Sequence, residues 1–262
     1  AQDESAVLYE GKNGQTIWYG FSDVENSLYR HLNAEVLKLL EQRQEQVELL
    51  KGRQDWEMRQ EAIRMILMEA AGPFPEKTPL HAQITGIVEK ERFRIEHIVF
   101  ESRPGFHVTS SLFIPSDLIR KAPAIILCSG HTAGAYRSSA YLHEILNYVS
   151  KGFIVYAFDP VAQGERLGYY DPETDGSRLK KATHEHSYAG AQAFVTGTSL
   201  AGIMAWDGIR ALDYLLTRRE VDPERIGITG RSGGGLQTAL IAALDDRIRA
   251  SAPECFITNM EM

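Results

Sequence analysis

The chain has 262 residues, 44% apolar and 24% charged, which is the make-up of an ordinary folded protein with room for one sizeable α/β domain and an appendage. Its formal charge of −7 offers no basic face to a phosphate backbone, so nucleic acid is not an expected partner. The longest apolar runs, such as Ala122 to Cys128, are too short to span a bilayer.

Residues 1–20 are polar and glycine-containing, and read as an irregular lead-in. The opening Ala-Gln-Asp-Glu suits a mature protein after signal cleavage, and an engineered start equally, so the expected location is periplasmic or secreted. Ser22 and Asp23 are candidate caps for a first helix. Leu28, Leu32, Val36, Leu39, Leu40, Val47 and Leu50 then recur at three- and four-residue steps, the stripe of a helix packing inward. A second helix is expected from about Asp55 to Ala71, with Trp56, Ile63, Ile66 and Leu67 on its stripe and Gly72-Pro73 as its stop. The pair is read as a helical extension over residues 1–80, covering a core formed by residues 81–262.

The pattern then changes to strands. Ile84 to Glu89, Phe93 to Glu101 and Phe106 to Pro115 alternate in character, and Pro104-Gly105 marks the last two as a hairpin. Ala122 to Cys128 and Phe153 to Phe158 are continuous apolar runs, as in strands buried on both faces, with a helix over Ser139 to Ser150 between them. A loop spans about 159–186. One long helix is expected from roughly Ala191 to Arg218, a strand over Ile226 to Thr229, a helix over Gly233 to Leu244, and a further strand from Ile248. Strands alternating with helices predict an α/β fold, a mostly parallel sheet with helices on both faces. Cys128 and Cys255 each follow an apolar run and are expected to be small buried hydrophobes. No CxxC or zinc-type spacing occurs, and a disulfide between them is not readable.

Gly230-Arg231-Ser232-Gly233-Gly234 is a G-x-S-x-G placed between a strand and a helix, as a nucleophile elbow requires. Glycines on both sides permit the sharp turn, which presents Ser232 above the carboxyl ends of the strands. A phosphate-cradling turn would need a Lys-Ser/Thr pair or a G-x-G-x-x-G, and neither is present. Acyl transfer also needs two N–H donors facing the tetrahedral oxygen. One is expected from Gly233. The other is expected from the backbone of His131, in the loop after the Ala124–Leu127 strand, with the His131 side chain lining the pocket.

Within the loop 159–186, Asp159, Glu165 and Arg166 are expected to form an ion-pair network that holds the loop. His184, Glu185 and His186 have a spacing open to metal, yet they fall in a loop without an evident third ligand. His184 and His186 are therefore read as pocket lining or loop support, with no metal and no cofactor.

Several stretches together resemble acetyl xylan esterase-like α/β-hydrolases of polysaccharide-degrading bacteria. They are Pro104-Gly-Phe-His-Val-Thr-Ser-Ser-Leu-Phe-Ile-Pro115, Asp159-Pro-Val-Ala-Gln-Gly-Glu-Arg166, Thr183-His-Glu-His186, the Trp206–Asp213 helix, and Val221-Asp-Pro-Glu-Arg-Ile-Gly227. The resemblance covers roughly Pro79 onward. It implies hydrolysis of acetyl or related esters on carbohydrate, so the expected partner is an acetylated carbohydrate or another small ester.

The same resemblance places a catalytic acid and a histidine on two strands after the elbow. Residues 233–262 hold Asp245, Asp246, Glu254 and Glu261 and no histidine, and the strand from Ile248 is the sixth of the eight that the fold implies. The favoured expectation is a fragment of a longer enzyme. Completion by a second chain or an inactive relative stay open, so a homo-oligomer or a completing C-terminal segment is an expected partner, and the unfinished sheet should promote association. Two other functions are also carried: a serine peptidase of prolyl-oligopeptidase type, whose elbow also reads G-x-S-x-G-G, and a carbohydrate-binding relative without catalysis.

Overall fold

A computed structural model describes residues 7–10, 16–20 and 26–258. The chain divides into two compact units, one within residues 1–59 and one over residues 60–259. The first holds an antiparallel pair, β1 (Val7–Glu10) and β2 (Thr16–Gly20), where the sequence suggested only irregular chain. The caps expected at Ser22 and Asp23 lie outside the described residues.

Helix α1 (Ser27–Glu48) and helix α2 (Arg53–Ala71) form as the periodicity predicts. Their stripes are not buried as expected, although Leu40, Val47, Leu50 and Leu67 are half-buried. α1 has no buried residue and α2 buries only Ala71, and Leu28, Leu32, Leu39, Trp56, Ile63 and Ile66 are all exposed. Periodicity reports which residues share a face, and says nothing about whether that face finds a cover.

Residues 60–259 are built on a seven-stranded sheet. Its strands are β3 (Gln83–Glu89), β4 (Phe93–Arg103), β5 (Phe106–Pro115), β6 (Ala122–Cys128), β7 (Ile154–Phe158), β10 (Val221–Arg231) and β11 (Ala250–Glu254), in the spatial order β11-β10-β6-β7-β5-β4-β3. β11, β10, β6 and β7 run parallel, while β5, β4 and β3 add antiparallel neighbours through the expected hairpin. A small two-stranded ribbon, β8 (Tyr170–Asp171) with β9 (Gly176–Ser177), lies within the long loop.

The apolar runs of β6 and β7 divide between two cores. Ala124, Ile126, Cys128, Ile154, Tyr156 and Phe158 face helix α5 (Leu200–Leu215) and Ile241 of helix α6 (Gly233–Leu244). Leu127, Val155 and Ala157 face Tyr141, Ile145 and Val149 of helix α3 (Ser139–Ser150). Burial on both faces is why these strands read as continuous rather than alternating.

Three expectations are corrected by the structure. The long helix of 191–218 is two helices, α4 (Ala182–Val195) and α5, because Ser199 caps a new start by accepting the Gly202 N–H at 2.9 Å. His184, Glu185 and His186 therefore sit at the start of α4, not in a loop. Cys128 is buried as expected, but Cys255, just past the end of β11, is exposed.

Candidate active site

The parallel strands all end at one rim of the sheet. Cys128 is in register with Phe158 on one side and with Gly230 on the other, so the segments that follow β6, β7 and β10 meet there. Ligand sites of open α/β sheets form at such a rim. The segment after β10 turns at Ser232, which has φ +58° and ψ −116° and is exposed, and α6 begins at the next residue. A side chain held in that region costs about 1–3 kcal/mol unless its surroundings enforce it. Here they do. The Ser232 N–H donates to the Glu254 carbonyl at 2.9 Å, and a Cβ on Gly234 would lie 2.0 Å from the Cys128 carbonyl oxygen, so α6 starts hard against the end of β6.

The segment after β6 lies beside this bend. A Cβ on Gly130 would come within 2.4 Å of the Arg231 carbonyl oxygen and 3.4 Å of Ser232 Cβ. Its polar groups are assigned one by one. The Gly130 N–H donates to the Tyr141 hydroxyl at 2.6 Å. Gln163 spends both amide protons on this segment, donating from Nε2 to the Gly130 carbonyl at 2.8 Å and the Thr132 carbonyl at 2.9 Å. The Gly164 N–H donates to Ala133 at 3.0 Å. Among the described residues, no acceptor takes the N–H of His131 or of Gly233, the two amides singled out from the sequence.

Asp159, Glu165 and Arg166, expected to pair in one network, make their contacts with other partners around the loop after β7. The fully buried Asp159 carboxylate accepts from Arg137 Nη1 at 2.7 Å and from the Thr109 hydroxyl at 2.6 Å. Arg137 also pairs with Glu165 at 2.8 Å. Arg166 turns away from both acids. It donates to the Asp159 backbone carbonyl at 2.9 Å and lies 2.9 Å from the buried Asp207 carboxylate, close enough for charge pairing but poorly aligned for a hydrogen bond. Arg137, Tyr141, Gln163 and Asp207 escaped the sequence reading. Gln163, inside the Asp159–Arg166 stretch, and Asp207, inside the Trp206–Asp213 helix, lay in segments already singled out.

The two histidines in α4 separate. His184 Nδ1 pairs with the Leu179 carbonyl at 2.9 Å and fixes its own loop. His186 reaches the rim, with Nδ1 at 3.1 Å from His131 Nε2 and Nε2 at 2.8 Å from the Val161 carbonyl. The His131 ring lies over the start of α6, where a Cβ on Gly233 would meet its Cε1 at 2.6 Å. Burial, and then the neighbouring charge of His186, lower the His131 pKa below its ordinary value. Among the described residues, no three His, Cys, Asp or Glu side chains cluster to hold a metal ion. Two of the acids after Ser232 are engaged elsewhere, Asp245 with Arg247 and Asp246 with Arg64, while Glu261 lies outside the described residues.

The model of one protein family, acetyl xylan esterase (AXE1), matches residues 82–260, more than half of the chain. The chain belongs to the acetyl xylan esterase (AXE1) family. YtaP of Bacillus subtilis (strain 168), which is named as a hydrolase, is 28% identical over 203 residues, covering 73% of this chain and 62% of YtaP. Among solved structures, BF1801 of Bacteroides fragilis NCTC 9343 superposes with a TM-score of 0.65 at 20% identity, over 92% of this chain and 61% of its own. The methylesterase BT1017 superposes with a TM-score of 0.62 at 26% identity, over 84% of this chain and 45% of its own. The fold is thus that of the α/β-hydrolases, and the chain spans about three-fifths or less of the length of these relatives. No helix among the described residues is long and apolar enough to cross a membrane.

Proposed function

We propose that the chain carries the nucleophile and oxyanion side of a serine carboxylic ester hydrolase that deacetylates carbohydrate. One observation carries the reading. Ser232 is exposed in a strained bend, against a segment whose His131 N–H, together with that of Gly233, has no acceptor among the described residues. Such amides stabilise negative charge on oxygen at little reorganisation cost.

In this reading Ser232 Oγ attacks the acyl carbon, and its proton passes to a base. The carbonyl oxygen becomes an oxyanion facing the two amides. Collapse breaks the bond to the sugar oxygen, which takes the proton from the same base and departs as the alcohol, leaving an acyl-enzyme. Water then repeats the sequence and releases acetate. The base and its acid partner are assigned to a His and an Asp or Glu outside residues 233–262. The chemistry asks for no metal or organic cofactor. Membership of an acetyl xylan esterase family supports an acetylated sugar as substrate. A polymeric substrate of that kind is met outside the cytoplasm, so an exported enzyme is part of the reading.

The test is acetate release from acetylated xylo-oligosaccharides by the protein expressed from its complete gene. Ser232→Ala should lower the rate at least about a thousandfold. An unchanged rate ends the proposal.

A further inference from the structure

We infer that His131 and His186 form a tautomer relay. It offers His131 Nδ1 as a hydrogen-bond acceptor beside the Ser232 bend and selects esters whose alcohol part carries a free hydroxyl next to the ester oxygen. The relay stands on geometry alone. What its acceptor selects rests on the ester-hydrolase reading above.

The proton positions follow from the partners. A backbone carbonyl can only accept, so His186 Nε2, 2.8 Å from the Val161 oxygen, carries a proton. A neutral imidazole holds one N–H, which leaves His186 Nδ1 bare. That atom faces His131 Nε2 at 3.1 Å, so the proton between the rings belongs to His131. His131 in turn has a bare Nδ1. The chain runs from the Val161 carbonyl through both rings to an atom with no protein partner among the described residues.

That atom is beside the bend. A Cβ on Gly233 would lie 2.8 Å from His131 Nδ1 and 3.2 Å from Nε2, so the Nδ1–Cε1 edge is the closer one to the residue after Ser232. His131 is also exposed. Its lowered pKa favours the neutral ring, the form whose bare nitrogen can accept. A bare imidazole nitrogen in such a place favours a substrate O–H donor and disfavours an ether or alkyl group, which would leave the acceptor desolvated and unpaired. A monoacylated sugar carries that donor on the carbon next to the ester.

Long-range imidazole nitrogen-15 NMR on this chain at pH 8 tests the relay without any turnover. Both rings should be Nε2–H tautomers. His131 should revert to a tautomer mixture in His186→Ala and hold its tautomer in His186→Asn, whose Oδ1 can accept the same proton. An Nδ1–H or mixed His131 in the unaltered chain overturns the relay.

The selection is tested by equilibrium binding to the Ser232→Ala form of the protein expressed from its complete gene. Methyl 2-O-acetyl-β-D-xylopyranoside, with its free 3-hydroxyl, should bind up to about tenfold tighter than its 3-O-methyl ether, and the preference should vanish in a Ser232→Ala/His131→Phe double variant. Equal binding, or binding of neither compound, overturns the selection. Hydrolysis that survives Ser232→Ala sinks the esterase reading instead, and leaves the tautomer result standing.

Discussion

Gly130 packs against the backbone of Arg231 so tightly that a methyl group on it would lie 2.4 Å from the Arg231 carbonyl oxygen. The same methyl group would meet the Tyr141 hydroxyl at 2.7 Å, so neither side of the contact yields cheaply. Gly130→Ala should therefore push the 130–132 segment off the bend. Overpacking of this kind costs about 1–3 kcal/mol, readable as a lowered melting temperature. A melting temperature equal to that of the parent would show the contact to be loose.

Gln163 is predicted to be a positioning residue for the His131 amide. Gln163→Met removes two donors and strands the buried Gly130 carbonyl, at about 1–3 kcal/mol. Gln163→Glu should be worse, because a carboxylate would face two carbonyl oxygens. In an active enzyme both should lower kcat more than they raise KM. A variant of Gln163 with full kcat would remove it from the site's support.

Arg137 is the counter-ion of a fully buried Asp159. Arg137→Ala should destabilise on the order of 3 kcal/mol, the low end for breaking a buried pair, because 34% of the arginine side chain is exposed. Adding Asp159→Asn should recover part of the loss, measured by denaturant melts of the four forms of the cycle. Additive losses would deny the coupling.

The two cysteines should behave oppositely. Cys128 is fully buried and its thiol is pushed up to about 12, whereas Cys255 is exposed. Iodoacetamide at pH 8 should add one label to the native chain, on Cys255, and two after unfolding, counted by intact mass. Labelling of native Cys128 would mean that the strand end opens.

These contacts mark how far the sequence could be read. The strands, the hairpin at Pro104-Gly105 and the bend at Ser232 are legible because alternation, turn residues and glycines act over a few neighbouring positions. The break between α4 and α5 had a local signal, Gly197-Thr198-Ser199, outweighed by the apolar periodicity on both sides. His186 and the stretch holding Gln163 were marked, but the partners of Arg137, Tyr141, Gln163 and His186 had no local signal, since Asp159, Gly130, Thr132 and His131 are set beside them by the sheet order. The exposure of the α1 and α2 stripes was equally out of reach, because a stripe does not carry the identity of its cover.

The outer side of β11 has no strand partner among the described residues. Beside it, a cleft of about 420 Å³ runs over β6, β10 and β11, with Tyr148, Phe153 and Ile228 among its lining. An open edge next to an apolar cleft favours pairing with another chain. Residues 1–262 alone should therefore associate as concentration rises, seen by sedimentation velocity. A monodisperse monomer at all concentrations would contradict this.

The central claim is that Ser232 is the nucleophile. The most direct measurement is peptide mapping of the protein expressed from its complete gene after reaction with a fluorophosphonate. The account predicts a single phosphonyl adduct on the peptide that contains Ser232, absent in Ser232→Ala. An adduct on another residue, or one that persists in that variant, would contradict it.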